Sequence, residues 1–309
     1  MYRRLSRHPN LRADGAAPLP RQLTAPELLA ANLRARERML DPFLASDSQA
    51  LLYGPRGLGK TFVALGIAWA VAGGGSFLGW TADRPRRVLY IDGEMSAVDM
   101  QERLRMLGSA PPTLKFMIAD LAERSLPDFG YIEGQSRLVG AWDDPELVVL
   151  DNLSSLVGVK TGDPDCWAEL QRFLMIQRRH GRAMLVVHHA NKQGRQRGTS
   201  RREDVLDLVM ALRRPADYQP QDGARFEIHF EKARGLHGDA AQPIEAKLET
   251  DAHGGLHWTW RPTHLGELER YALMLEQGLN PLQIARELGI SKSRSYRLRE
   301  RVVMTASPA

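Results

Sequence analysis

Residues 54–61 read Gly-Pro-Arg-Gly-Leu-Gly-Lys-Thr and have the spacing GxxxxGKT. The apolar run before them, residues 50–53, is typical of a short strand, and the run after them, residues 62–69, is typical of a helix. In such a strand–loop–helix connection the glycines let backbone N–H groups turn toward a phosphate, and the helix N-terminus adds its dipole. The stretch therefore predicts a phosphate-binding loop.

Two side chains complete the predicted triphosphate site. Lys60 would reach the β- and γ-phosphates, and the Thr61 hydroxyl would be a ligand of Mg²⁺. The predicted nucleotide contacts are the loop and the residue after it: Gly54, Pro55, Arg56, Gly57, Leu58, Gly59, Lys60, Thr61 and Phe62.

The composition is that of a globular chain with a modest basic excess. The 309 residues have a net charge of +5 and a mean hydropathy of −0.35, which suits a nucleic-acid partner. Residues 62–81 form an uncharged stretch as long as a membrane span, but its five glycines favour a buried helix that ends at Gly73. A single cysteine, Cys166, and the lack of a visible secretion signal lead us to expect a cytoplasmic protein.

The N-terminal residues 1–43 are predicted to be an arm with one helix. Thr24 and Glu27 have the spacing of a capping box, and the helix is expected to continue to about Leu40, before Asp41 and Pro42. Two interpretations stay open: the helix packs on its own domain, or it docks on a neighbouring subunit.

Residues 44–262 are predicted to form one α/β domain. Apolar runs at residues 50–53, 87–91, 114–118, 147–150 and 184–188 alternate with helical stretches at 61–72, 98–107 and 166–180. Such an alternation predicts a mainly parallel central sheet flanked by helices. The later runs at 205–212, 225–232, 244–250 and 255–260 are separated by turn signals and predict an antiparallel extension of this sheet.

Acidic residues follow two of the predicted parallel strands. Asp151 ends the run 147–150, where a carboxylate can hold Mg²⁺ beside the phosphate loop. Glu94 and Asp92 follow the run 87–91, and either could orient and deprotonate the attacking water.

Two histidines end another predicted strand. His188 and His189 would point to opposite faces, so that one of them can face the nucleotide and hydrogen-bond to a phosphate. A metal site is not expected here, because the chain has no third His or Cys at ligand spacing.

Two basic segments follow these histidines. The stretch 191–202 has five cations and no acid, which favours contact with a nucleic-acid backbone over a plain solvated loop: Lys192, Arg195, Arg197, Arg201 and Arg202. Lys232 and Arg234 share one face of a later strand, where an arginine could act on a neighbour's nucleotide or form a surface ion pair.

Together these motifs resemble the RecA-like ATPases, and specifically the RepA/DnaB type of hexameric replicative helicase, over residues 44–262. The resemblance implies ATP and Mg²⁺ as cofactors and sites between subunits. It implies the roles of the Walker A loop at 54–61, the catalytic glutamate for Glu94, Walker B for Asp151 and the γ-phosphate sensor for His189. The loop 192–202 would bind single-stranded DNA, and Lys232 and Arg234 would reach a neighbour's ATP. Asn152 argues against the Asp-Glu pattern of the AAA+ proteins.

Residues 263–309 depart from that family, because they resemble a helix-turn-helix with Ala285 and Gly289 at the usual spacing. Helices are expected at 267–276, 281–288 and 292–302, with Leu288, Tyr296 and Leu298 packed inward. The last helix has five cations against one acid, and duplex DNA could meet several of them: Lys292, Arg294, Arg297, Arg299 and Arg301. A packing or oligomerisation domain is the alternative.

The sequence therefore predicts an ATP-driven motor on single-stranded DNA, active in plasmid, phage or mobile-element replication. Two other functions stay open. One is an ATP-gated DNA-binding regulator, initiator or loader that uses the C-terminal unit. The other is an accessory ATPase of the recombinase or partition kind, which would form filaments in place of closed rings.

Overall fold

The computed structural model describes residues 21–158, 164–190, 205–250, 255–263, 267–276 and 278–306. The predicted DNA-binding loop 192–202 lies outside the described residues. The chain divides into two compact units, residues 1–35 and residues 36–309. None of the helices within the described ranges is long and apolar enough to span a lipid bilayer.

In the described part of the first unit, residues 21–35, the chain forms the short helix α1 (Ala25–Ala30). Its capping box is confirmed: the Thr24 hydroxyl accepts the N–H of Glu27, and the Glu27 carboxylate accepts the N–H of Thr24 at 2.8 Å. The prediction that this helix continues to Leu40 is wrong. Residues 38–40 instead form a strand that buries Met39 and Leu40 in the core of the second unit.

The second unit is built on thirteen strands within the described residues. They are β1 (Arg38–Leu40), β2 (Leu44–Ala45), β3 (Gln49–Gly54), β4 (Ser76–Phe77), β5 (Trp80–Thr81), β6 (Val88–Asp92), β7 (Leu114–Ile118), β8 (Leu147–Asp151), β9 (Ala183–His189), β10 (Leu208–Arg213), β11 (Arg225–Ala233), β12 (Ile244–Thr250) and β13 (Leu256–Pro262). The helices are α2 (Lys60–Gly73), α3 (Ala97–Met106), α4 (Ile132–Gly140), α5 (Leu153–Leu156), α6 (Pro164–Arg179), α7 (Glu267–Glu276), α8 (Pro281–Glu287) and α9 (Lys292–Ala306).

Nine of these strands form the central sheet, in the order β13-β12-β11-β10-β3-β9-β8-β6-β7. The six strands from β10 to β7 pair in parallel, and the remaining pairs are antiparallel. The α/β class and the mainly parallel sheet are thus confirmed. One detail differs: the sequence predicts that residues 205–212 belong to the antiparallel extension, whereas β10 also pairs in parallel with β3 and joins the two parts of the sheet.

Alternate side chains of the central strands pack on opposite faces of the sheet. On β3, Leu52 belongs to one buried cluster, which includes α2, and Leu51 belongs to the other, which includes α6. Since both faces are covered, these strands are apolar almost throughout. The functional groups of the parallel strands can therefore lie only at their ends.

The uncharged stretch 62–81 forms a buried helix and a hairpin. Helix α2 ends at Gly73 with Gly74 in the left-handed conformation, and β4 pairs with β5 directly afterwards. The sequence prediction of a buried helix that breaks at Gly73 is confirmed.

The last three helices share a small core of their own. Tyr271, Ile284 and Leu298 are its buried residues, and the Tyr271 hydroxyl is 2.9 Å from the Ser295 hydroxyl. The prediction that Tyr296 packs inward is wrong, because the buried face of α9 carries Ser295 and Leu298 and leaves Tyr296 exposed.

Candidate nucleotide site

The phosphate loop connects β3 to α2 in a conformation that requires glycine. Gly59 has a φ of 104°, and a Cβ added there would lie 2.8 Å from the ring of Phe226. Gly57 has a φ of 71°. The Lys60 ammonium donates to the Gly54 and Pro55 carbonyls at 3.0 and 2.7 Å, so its side chain folds back over the loop.

The order of the strands brings the predicted site residues together. Because β3, β9, β8 and β6 are consecutive and parallel, their carboxyl ends meet at one edge of the sheet. The cleft at this edge encloses about 400 Å³. Its lining includes the predicted groups Lys60, Thr61, Glu94, Asp151 and His189.

Asp151 is a buried carboxylate at the bottom of the cleft. The Tyr90 hydroxyl donates to its Oδ2 at 2.7 Å, and Thr61 also hydrogen-bonds to it. Burial raises the pKa of Asp151, although these two hydrogen bonds and the charge of Lys60 act in the opposite direction. An adjacent hydroxyl and carboxylate are oxygen donors of the kind that Mg²⁺ takes alongside nucleotide phosphates, so the residues fit the predicted ion.

Lys60 is itself buried beside this carboxylate. Burial lowers the pKa of Lys60 to about 8, while Asp151 and Glu94 act to raise it. The ammonium therefore lies where its charge is costly unless an anion is near.

Glu94 and Asp92 differ in what they can do. Asp92 is buried, and its Oδ1 accepts the N–H groups of Glu94 and Met95 at 3.1 and 2.7 Å. Glu94 has an exposed carboxylate, which accepts a hydrogen bond from the Asn152 amide. Both acids line the cleft, and Glu94 is the one whose carboxylate is open to water.

The two histidines separate as expected from strand geometry. His189 lines the cleft, and its Nε2 is 3.6 Å from the Glu94 carboxylate. Burial, and then the charge of Lys60, lower the pKa of His189, which favours the neutral ring. His188 is buried and does not line the cleft.

Lys232 and Arg234 lie near the amino ends of the parallel strands, whereas the cleft lies at their carboxyl ends. Strand β11 is antiparallel to β10, and Ala233 pairs with Leu208 at the start of that strand. The guanidinium of Arg234 is 3.6 Å from the Asp207 carboxylate. Neither side chain is therefore brought to the chain's own nucleotide cleft.

The predicted DNA contacts of the C-terminal helices fall on the exposed part of α9. Lys292, Arg294 and Arg297 are all exposed on this helix, and Ser291 caps its N-terminus by accepting the N–H of Arg294. None of these three side chains lines the nucleotide cleft.

Comparisons with known proteins place this geometry in a family. A family model described as an AAA domain, AAA_25, matches residues 16–195, more than half of the chain. The chain belongs to this family. It is thus a P-loop ATPase.

Two individual proteins are similar to this chain. The DNA repair protein RadA of Halalkalibacterium halodurans is 26% identical over 184 residues, which cover 58% of this chain and 36% of RadA. The chain thus spans about a third of the length of that relative. A KaiC-like protein of solved structure from the archaeon Pyrococcus horikoshii OT3 is 14% identical to this chain. The match covers 72% of this chain and 93% of that protein's chain, with a TM-score of 0.47.

The site also contains residues that the sequence analysis missed. Tyr90 supports Asp151, and Arg103 lies in the cleft with its guanidinium 4.5 Å from the Phe62 ring centre. Asn152 occupies the position of the glutamate in the Asp-Glu pattern, and its amide donates a hydrogen bond to Glu94, which follows the neighbouring strand β6. The sequence marks Asn152 by its position directly after Asp151. It does not mark Arg103, because only the fold brings α3 toward the phosphate loop.

Proposed function

We propose that this chain is a Mg²⁺-ATP-dependent DNA-binding motor that hydrolyses ATP between its copies, in the manner of the RepA-like hexameric helicases. The observation that carries the proposal is the meeting of Glu94, His189 and Lys60 at one cleft, with Arg234 at the opposite edge of the sheet. On this proposal a single copy would supply the groups that bind ATP and activate water, and its Arg234 would act on the nucleotide of another copy.

Each proposed role follows from the position of the side chain. Glu94 would accept a proton from the attacking water, because its carboxylate is exposed and is oriented by the Asn152 amide. Lys60 would offset charge on the β- and γ-phosphates, and neutral His189 can donate a hydrogen bond to a phosphate oxygen. Thr61 and Asp151 would hold Mg²⁺, which adds charge neutralisation when it is bound.

Contact with single-stranded DNA is supported by charge and by similarity. The segment 192–202 has five cations and no acid. One similar protein is a DNA repair protein, although the match covers only part of it. Backbone phosphates are the ligands that such a cationic segment binds without reading sequence.

The test is ATP turnover by the full chain with and without DNA. We expect non-specific single strands to raise the turnover, Lys60→Ala to abolish it, and a forked duplex to be unwound only with hydrolysable ATP. The mass of the assembly with ATP and DNA separates a closed ring from a filament. Turnover that DNA does not change would contradict the motor.

One observation favours a second candidate, an ATP-gated regulator, initiator or loader. Residues 267–306 fold around Tyr271, Ile284 and Leu298, and the exposed face of α9 carries cations. A small helical unit with such a face could read duplex DNA in the manner of a helix-turn-helix.

The regulator is tested by a chain that ends at Thr263. If residues 263–309 are a separable DNA-reading unit, the shortened chain should hydrolyse ATP and lose affinity for duplex DNA. If they serve packing, the shortened chain should lose assembly and keep its duplex affinity.

A further inference from the structure

Asn152 connects the proposed base, Glu94, to helix α5, which begins at the next residue. Its side chain is buried, and the side-chain N–H donates to Oε2 of Glu94. The side-chain oxygen of Asn152 accepts the N–H of Ser155 at 3.3 Å and caps α5. Both polar ends of one buried side chain are thus used, one by the base and one by the helix.

Helix α5 fixes the orientation of Asn152. The Asn152 carbonyl accepts the Ser155 hydroxyl at 2.8 Å, and it accepts the N–H groups of Ser155 and Leu156 at 3.1 and 3.2 Å. Leu153 and Leu156 anchor α5 in the buried cluster on one face of the sheet. The amide of Asn152 therefore cannot turn away from Glu94 without giving up the cap of this helix.

The turn that leads into Glu94 packs directly against α5. The N–H of Gly93 donates to the Asp151 carbonyl at 2.8 Å. A Cβ added at Gly93 would lie 2.6 Å from the Ser155 hydroxyl oxygen and 2.8 Å from Cδ2 of Leu156. Backbone contact and side-chain contact thus join α5 to the same turn.

Glu94 needs this support because its strand is distant from the phosphate loop. Strands β8 and β9 lie between β6, which Glu94 follows, and β3, which the loop follows. Three strand spacings of about 4.8 Å separate β6 from β3 by about 14 Å. Yet Oε2 of Glu94 is 3.6 Å from Nε2 of His189, which ends β9. The carboxylate therefore extends across the end of β8, where Asn152 donates to it.

The same contacts distinguish the two oxygens of the carboxylate. The Glu94 side chain is 62% exposed, so that holding it in one position costs rotamer entropy. Within the part of the chain that the structure describes, Asn152 and His189 both lie against Oε2. Oε1 is the oxygen that remains for a water.

We propose that Asn152 is a positioning residue for ATP hydrolysis, which holds Oε2 of Glu94 so that Oε1 accepts the proton of the attacking water. The water oxygen bonds to the γ-phosphorus as the bond from phosphorus to the β–γ bridging oxygen breaks, and ADP leaves with that electron pair. The proposal rests on the proposed hydrolysis and adds how α5, through Asn152, orients the base.

The test is a double-mutant cycle on the full chain. Asn152→Ser keeps an oxygen that can cap α5 and lacks the amide that donates to Glu94. We expect it to lower kcat by about 10- to 100-fold, part of what a general base contributes, and to change KM for ATP by less than about threefold. In the Glu94→Gln background the same substitution should cost less than about twofold, because Asn152 acts through the base.

Two further variants separate the donor from the shape of the side chain. Asn152→Asp has nearly the same shape and can also cap α5, but it lacks the N–H donor, so that kcat should fall at least as far as in Asn152→Ser. Ser154→Ala is the matched control on the same helix and should match wild type, since the Ser154 hydroxyl has no hydrogen-bond partner among the described residues.

Equal losses of kcat in the two backgrounds of the cycle would overturn the proposal, as would wild-type turnover of Asn152→Asp. An NMR measurement without nucleotide tests the contact itself, with isotope-labelled asparagine and the Asn152→Ser spectrum to assign the Asn152 side-chain signal. Glu94→Ala should move this signal, and an unmoved signal would also overturn the proposal. A signal that moves in a chain without any ATP turnover would instead contradict the proposed hydrolysis.

Discussion

Asp92 should reduce the stability of the folded chain at neutral pH. Its carboxylate is 2% exposed, and burial is the main reason that its pKa rises from its usual 3.8 to about 6. Below pH 3.8 the group is protonated in both the folded and the unfolded chain. Between the two pKa values the unfolded chain releases the proton that the folded chain keeps, so the free energy of unfolding falls as pH rises.

The size of this loss follows from the two pKa values. Each pKa unit corresponds to 1.36 kcal/mol, so the full loss is about 3 kcal/mol above pH 6. At pH 5 only about 1.5 kcal/mol of it is present, because the folded chain is still mostly protonated.

Asp92→Asn removes the ionisable group and keeps an oxygen for the two backbone N–H donors. We therefore expect the variant to be more stable than wild type by up to about 3 kcal/mol at pH 7 and by about half of that at pH 5. The buried amide N–H groups reduce the gain by about 1 kcal/mol where they find no partner. Urea unfolding between pH 5 and 8, in EDTA and without nucleotide, measures the difference.

The exposed Asp99 provides the control, since Asp99→Asn should change stability little across this pH range. A variant Asp92→Asn that is less stable than wild type at pH 7, or whose difference does not grow with pH, would refute the reasoning. Turnover of the same protein separates the two candidate bases. Asp92→Asn should keep most of the activity, whereas Glu94→Gln should bind ATP and lose about 10²- to 10⁴-fold in turnover. The reverse result would assign the base to Asp92.

Three further substitutions test the supports of the site and the C-terminal helices. Gly59→Ala should weaken binding of a fluorescent ATP analogue more than Gly57→Ala, because only the Cβ at Gly59 would strike a buried ring, at 2.8 Å. Tyr90→Phe should lower the free energy of unfolding by about 1.5–3 kcal/mol in urea, since it removes a hydrogen bond to a buried carboxylate. Leu298→Ala should destabilise the C-terminal helices by about 2–5 kcal/mol in hydrogen exchange, while Tyr296→Ala at an exposed position should have little effect.

The nucleotide cleft was predictable because its residues follow strands that the sequence marks clearly. Asp151 and His189 each end a run of buried apolar residues, and parallel strands carry such ends to one edge. The contacts that support these groups are harder to predict from the sequence. The hydrogen bond from Asn152 to Glu94 joins the segments that follow β8 and β6, and only the strand order of the sheet shows that these two strands are neighbours.

The elements that sequence reasoning missed owe their form to tertiary contacts. Helix α4 has Gly134 within it, which lowers its intrinsic helix propensity, yet a Cβ there would lie 1.9 Å from the Asp128 carbonyl. The glycine is needed for that close approach. Ser295 is buried in place of Tyr296 because its hydroxyl hydrogen-bonds to Tyr271 and donates to the Pro281 carbonyl at 2.6 Å.

Burial of ionisable groups in the nucleotide cleft costs free energy when the chain folds. Burial lowers the pKa of Lys60 and raises the pKa of Asp151, so each group resists the charge that its proposed role requires. A magnesium ion would offset the carboxylate and a triphosphate would offset the ammonium, so bound ligand would relieve both penalties. Because the described cleft has as many acids as cations, it does not balance the rest of the triphosphate charge. Under the proposed hydrolysis between copies, Arg234 of a second copy would supply part of that charge, so that nucleotide binding would favour assembly.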